Sequence, residues 1–141
     1  MSTLYAESSA VLRWLLGTSD AERIERELAA APAVVTSELT SAEVGRSLQR
    51  LVATEQIAPE AGQRAWASYA GASQHWHVYS IGEPVLSRVR QPFPREPVRT
   101  LDAIHLATAM YHALEVAAPV LLTVDEQVRA NGRALGLAIA P

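Results

Sequence analysis

Five short runs of β-branched and apolar residues, at 3–6, 33–36, 76–81, 120–124 and 137–140, alternate with stretches of helical spacing, and this constrains the chain most. A parallel strand pair needs a crossover, and the crossover helix must bury one face on the sheet. Strand–helix alternation therefore predicts an α/β fold: a three-layer α/β/α arrangement around a central parallel sheet of four to five strands. A chain of 141 residues fits one such domain, 1–141, and no repeat or low-complexity linker divides it.

Between the strands, the apolar run 10–16 ends at Gly17, and Ser19 with Glu22 makes a capping box for a helix to about residue 30. Ser37 or Thr40 opens the next helix, with Leu39, Ala42, Leu48, Leu51 and Val52 as its buried stripe. Pro59 opens another, over about 60–74, with Trp66 and Tyr69 on one side, and 83–90 is a short helix. Three prolines at 92, 94 and 97 make 91–99 a loop. The helix after it has Thr100 as its N-cap. Leu101, Ile104, Leu106, Ala107, Met110 and Leu114 cover more than half its circumference, as packing on two sides requires. The last helix, 126–135, stops at Gly136.

Composition removes several chemistries. With no cysteine there is no disulfide, thiolate metal site or cysteine nucleophile. All 12 basic residues are arginine, which excludes a P-loop and the lysine-dependent phospho-aspartate sites. A net charge of −3 argues against a basic nucleic-acid coat but not against a nuclease, whose metal reverses the local field of its acids. No uncharged apolar stretch approaches the ~20 residues that span a bilayer, so no membrane association and a cytoplasmic location are expected.

Four acids stand at related places. Glu7 and Asp125 follow strands, Glu43 lies in the helix after the second strand, and Asp102 sits in the first turn of an otherwise apolar helix. Each has an ordinary explanation alone: Asp102 as a helix-start residue, Asp125 as a cap, Glu43 as a surface acid paired with Arg46 at i, i+3. In a parallel sheet, however, ligands bind at the carboxyl ends of the strands, and right-handed crossovers bring all four acids to that rim. Clustered carboxylates repel unless a cation joins them, and hard oxygen donors suit magnesium or manganese rather than zinc. Such a site activates water against a phosphodiester. Arg95 and Arg99 in the loop, and Arg46, are candidate contacts to the phosphates of such a substrate. His105, one turn from Asp102, is a core histidine or a substrate contact.

Tyr5-Ala-Glu-Ser-Ser-Ala-Val-Leu12, Ser37-Glu-Leu-Thr-Ser-Ala-Glu43, Leu101-Asp-Ala-Ile-His-Leu-Ala107 and Leu122-Thr-Val-Asp125 together resemble, in order, the four motifs of PIN-domain ribonucleases, and among these the VapC-like toxins of toxin–antitoxin pairs. The likeness covers nearly the whole chain. It implies a PIN-like fold and an endoribonuclease toxin dependent on Mg2+ (or Mn2+). Glu7, Glu43, Asp102 and Asp125 would be the metal-binding catalytic set, supported by hydrogen bonds from Ser9 and Thr123. It also implies a homodimer and an antitoxin segment across the cleft, for which Trp14, Leu15 and Leu16 are candidate contacts. Glu7 departs from the family, which usually has aspartate there. That feature supports the alternative of a catalytically weak or inactive PIN-like module that binds a partner protein.

Overall fold

The computed structural model describes residues 2–115 and 119–141. Its elements run β1 (Leu4–Ala6), α1 (Ser8–Leu16), α2 (Ala21–Ala30), β2 (Val34–Ser37), α3 (Glu38–Ala53), α4 (Pro59–Ser73), β3 (His77–Tyr79), α5 (Glu83–Val89), α6 (Thr100–Glu115), β4 (Val120–Leu122), α7 (Glu126–Ala134) and β5 (Ala138–Ala140). The strands form one five-stranded sheet in the order β3-β2-β1-β4-β5, parallel throughout, as the alternation predicts. From β1 the chain moves outward to β3, then crosses to the other side and lays down β4 and β5. The switch of direction lies between β1 and β4, where α/β sheets open their ligand crevice.

The pleat divides the core in two. Leu4, Ala6, Val34 and Leu122 pack with Ala10, Val11 and Ile24 of α1 and α2, and with Val44, Leu48, Ala65 and Tyr69 of α3 and α4. Tyr5, Val35 and Leu121 point the other way, onto Ala103, Leu106 and Ala109 of α6, Val128 of α7 and Phe93 of the proline loop. Successive strand residues alternate between faces, so one three-residue strand serves both layers. Trp14, Leu15 and Leu16 are partly buried against the first of these cores.

Several local expectations change. α2 starts at Ala21, with Asp20 at its N-cap in a left-handed conformation and Ser19 one residue too early to cap it; the Ser19 hydroxyl instead accepts from Arg13 at 2.7 Å. Ser37, not Thr40, caps α3 through Leu39 N–H. Ala42 is exposed rather than part of the buried stripe. Thr100 is the first residue of α6 and not its cap, since Ala103 N–H already donates to the Arg99 carbonyl. Leu101 is 48% exposed and so stands outside the buried stripe. The side chain of Leu114 lies outside the described residues. β4 stops at Leu122 because Val124 N–H leaves the ladder to donate to Ser9 Oγ.

α7 lies so close on β4 and β5 that only glycine fits at 132: a Cβ there would stand 2.7 Å from Leu121 Cδ2 and 2.9 Å from Ile139 Cδ1. Leu121 is fully buried, so its methyl can give way only by displacing the core around it. Gly132→Val is therefore expected to lower the unfolding free energy by about 2–3 kcal/mol, measured by urea denaturation. A change under about 0.5 kcal/mol would mean that α7 and the sheet have room for a side chain at 132.

Candidate active site

Glu7 leaves β1 and caps α1, its side chain accepting from Ser9 N–H at 3.1 Å. Capping usually falls to shorter side chains, and the extra methylene of glutamate is taken up by folding back over the helix start. Both carboxylate oxygens are engaged. Oε1 also accepts from Ser8 Oγ at 2.9 Å, while Oε2 accepts from Thr123 Oγ1 at 2.7 Å and from Ser9 Oγ in a short contact. Ser9 and Thr123 thus both donate to Glu7, binding the end of β1 to the end of β4. Glu7 itself is buried.

Glu43 reaches the same place from α3. Its Oε1 accepts from Ser8 Oγ at 2.9 Å and from His105 Nε2 at 2.5 Å. The surface pairing with Arg46 does not form: Glu43 is committed to His105, while exposed Arg46 lines a separate cavity between α3 and α4 with Trp66, Leu48 and Val52. Burial alone would raise the Glu43 pKa, but the hydrogen bond and charge of His105, with Ser8, outweigh it and hold the group below 4.5.

His105 is fully buried, so it is no substrate contact. Its Nδ1 meets the Tyr5 hydroxyl at 2.9 Å, and Nε2 lies 3.8 Å from Glu7 Oε1. Burial opposes its protonation. The Glu43 hydrogen bond and the charges of Glu7, Glu43 and Asp102 prevail and lift its pKa above 6.5. Tyr5 is pushed well above the usual phenol value, by burial first and then by the charge of Glu7.

Asp102 and Asp125 complete the rim. Asp125 caps α7, Oδ1 accepting from Val128 N–H at 2.9 Å, and its own N–H donates to Thr123 Oγ1. The Asp102 pKa is raised by partial burial, then by the charges of Asp125 and Glu7, against the pull of Arg99 and His105. Acids from α6, α7 and β1 are thus electrostatically coupled at the switch point. Among the described residues no hydrogen bond reaches either oxygen of Asp102, Oδ2 of Asp125 or Oε2 of Glu43. Hard oxygens with free lone pairs beside a mutual repulsion are the donor set a divalent cation fits. Among the described residues no three acids or histidines are closed into a ready cage.

The loop at 91–99 is a fixed ledge beside this rim. Glu96 accepts from Phe93 and Val98 N–H, Asn131 accepts from Arg95 N–H, and Gln127 donates to the Arg95 and Pro97 carbonyls. Arg95 and Arg99 are exposed on it. The arginine positions were legible in the sequence. Ser8 and Tyr5, which bind this site together, were not singled out there, although a tyrosine inside a three-residue buried strand was the available signal.

The model of the PIN domain matches residues 4–133. Ribonuclease VapC46 of Mycobacterium tuberculosis (strain ATCC 25618 / H37Rv) is 32% identical over 139 residues, 99% of this chain and 97% of that protein. Two solved structures share the fold. A toxin–antitoxin complex from Klebsiella pneumoniae superposes with TM-score 0.66 at 16% identity, over 98% of this chain and 96% of that one. VapC20 of Mycobacterium tuberculosis, a sarcin-ricin loop cleaving toxin, gives 0.64 at 16% identity, over 92% and 95%. With a parallel sheet, acids at its switch point and a family match across nearly its whole length, the chain belongs to the PIN-domain family, on the branch of the VapC-like ribonucleases.

Proposed function

We propose that this protein is an endoribonuclease dependent on Mg2+ or Mn2+, acting as the toxin of a toxin–antitoxin pair. One observation carries the reading: hydrogen bonds of Ser8 and Thr123 gather Glu7, Glu43 and Asp125 at the ends of β1 and β4, and Asp102, drawn from a helix nearly 100 residues beyond Glu7, feels the charges of Asp125 and Glu7 there. Among the described residues no protein group hydrogen-bonds to Asp102, to Oδ2 of Asp125 or to Oε2 of Glu43, and Glu7 is the fourth acid of the proposed catalytic set. Such a cation supplies a water of lowered pKa and a counter-charge for the leaving oxygen of a phosphodiester. Ser9 and Thr123 hold Glu7, and Val128 N–H holds Asp125, so the rim needs little reorganisation when substrate arrives. Arg95 and Arg99 carry the RNA backbone along the fixed ledge, with Arg46 as a more distant contact. The relatives' assemblies support an antitoxin partner, and a homodimer is part of the same reading.

The second reading, a module that binds its partner without cleaving, is favoured by the engagement of both Glu7 oxygens. Cleavage of a structured RNA with and without Mg2+ separates the two. Metal-dependent cleavage is expected, and a chain that binds antitoxin yet leaves RNA intact at saturating Mg2+ overturns the enzyme reading. In the same assay Arg95→Ala with Arg99→Ala is expected to weaken RNA binding and flatten its salt dependence by nearly two in log–log slope, at about 0.7–0.9 per phosphate contact. An unchanged slope removes the ledge from the binding surface.

A further inference from the structure

His105 has no task in the reading above, yet the site closes around it. It comes from α6 in one helical layer and Glu43 from α3 in the other, and Nε2 joins them through the gap beside β1. Ser8 Oγ lies 2.9 Å from Oε1 of both Glu7 and Glu43, but one hydroxyl has one proton and serves one carboxylate at a time. Glu7 has Ser9 and Thr123 besides, so without a second donor Glu43 would lack a fixed partner whenever Ser8 turned to Glu7. Nε2–H of His105 is that donor. Its other nitrogen meets Tyr5, whose backbone pairs with Val35 and Leu121 in the centre of the sheet, so the imidazole is braced by the most rigid part of the fold.

We propose that His105 is a positioning residue for the cation site: braced by Tyr5, it holds Glu43 by Oε1 and leaves Oε2 as the oxygen that ligates. The proposal rests on the metal-dependent reading of this site. Both of the bonds that Glu43 accepts fall on Oε1. Partners of this kind set ligand orientation without touching the metal or the substrate.

Two variants divide the imidazole. Glutamine at 105 presents its amide nitrogen near the place of Nε2 and keeps a donor for Glu43. Asparagine reaches only the place of Nδ1, beside Tyr5, and gives Glu43 up. The probe is Mn2+ alone, its affinity read from the free-ion signal in electron paramagnetic resonance, with thermal unfolding to establish that each chain is folded. His105→Asn is expected to weaken Mn2+ binding by about 10–100-fold, the usual cost of losing such a partner. His105→Gln is expected to stay close to the parent, and Tyr5→Phe, which removes only the brace, to fall between them. A histidine that merely fills the core would lower stability in both 105 variants and leave their Mn2+ affinities alike; that result overturns the proposal. Should the asparagine chain not fold, Tyr5→Phe decides, and parental affinity there overturns it. A parent chain that binds no Mn2+ overturns the metal reading as well, whereas a parent that binds with indifferent variants overturns the positioning role alone.

Discussion

Asp102→Asn is expected to lose RNA cleavage by about three orders of magnitude while unfolding at a higher temperature than the parent in metal-free buffer. The activity loss follows from the proposed ligand role: a metal supplies several kcal/mol of transition-state stabilisation, and each 1.36 kcal/mol is tenfold in rate. The stability gain follows from the sign of the pKa shift. The Asp102 carboxyl ionises less readily in the fold than in the unfolded chain, through burial and the charges of Asp125 and Glu7. The folded state therefore holds this proton more tightly, and stability declines as pH rises from 3.8 through the raised value. At neutral pH the full cost is present, and the amide removes it. Below about pH 3.8 both states are protonated and the gain disappears. Added Mg2+ reverses the order, stabilising the parent by about 2.7 kcal/mol at a hundredfold excess over Kd and the variant little. Scanning calorimetry at pH 7 and pH 3.5, with and without Mg2+, tests every arm. If asparagine destabilises the metal-free chain at pH 7, Asp102 is a helix-start residue and no more.

That opposition between stability and function was only half visible beforehand. The position of Asp102 could be read, because a charge inside Leu101-Asp-Ala-Ile-His-Leu-Ala107 breaks an apolar pattern that one sequence displays. Sheet direction was equally legible, since parallel strands need crossovers and short β-branched runs between helices leave few other folds. Ends of elements were less so. Ser19 carries a good capping signature, but the left-handed Gly17 and Asp20 bend the chain so that the helix begins beyond its reach. The partners of Glu43 were hidden for a different reason. A pairing with Arg46 is local and follows from helical spacing, whereas the observed pairing with His105 spans 62 residues and depends on which layers α3 and α6 occupy. Tyr5 belongs to the same class: its contact to His105 spans 100 residues and exists only because the strand pleat points Tyr5 at α6 and its neighbours at α1. Spacing along one helix is written in the chain, while convergence across a sheet is set by the register of strands.

Glu7→Ala is expected to cost about 3 kcal/mol in stability and to abolish cleavage. Two opposing effects set the magnitude. Removing one of several clustered acids relieves repulsion on Asp102, which favours the variant. Against this, three donors lose this acceptor, Ser9 N–H, Ser9 Oγ and Thr123 Oγ1, while Ser8 Oγ keeps Glu43. Hydrogen bonds to a charged group contribute about 1.5–3 kcal/mol each, so even two that find no replacement outweigh the relief. One of these, from Ser9 N–H, is the N-cap of α1, whose loss by itself costs roughly 1 kcal/mol. Glu7→Gln isolates the charge from the shape. Its carbonyl can still take Ser9 N–H, and the Thr123 and Ser9 hydroxyls can turn to accept from the amide, so stability should remain near the parent while metal-dependent cleavage is lost. Urea unfolding of both variants, beside a cleavage assay at saturating Mg2+, supplies the comparison. If Glu7→Gln cleaves at the parental rate, the acid at the end of β1 acts only as the clamp between β1, α1 and β4, and the catalytic carboxylates are Asp102, Asp125 and Glu43 alone.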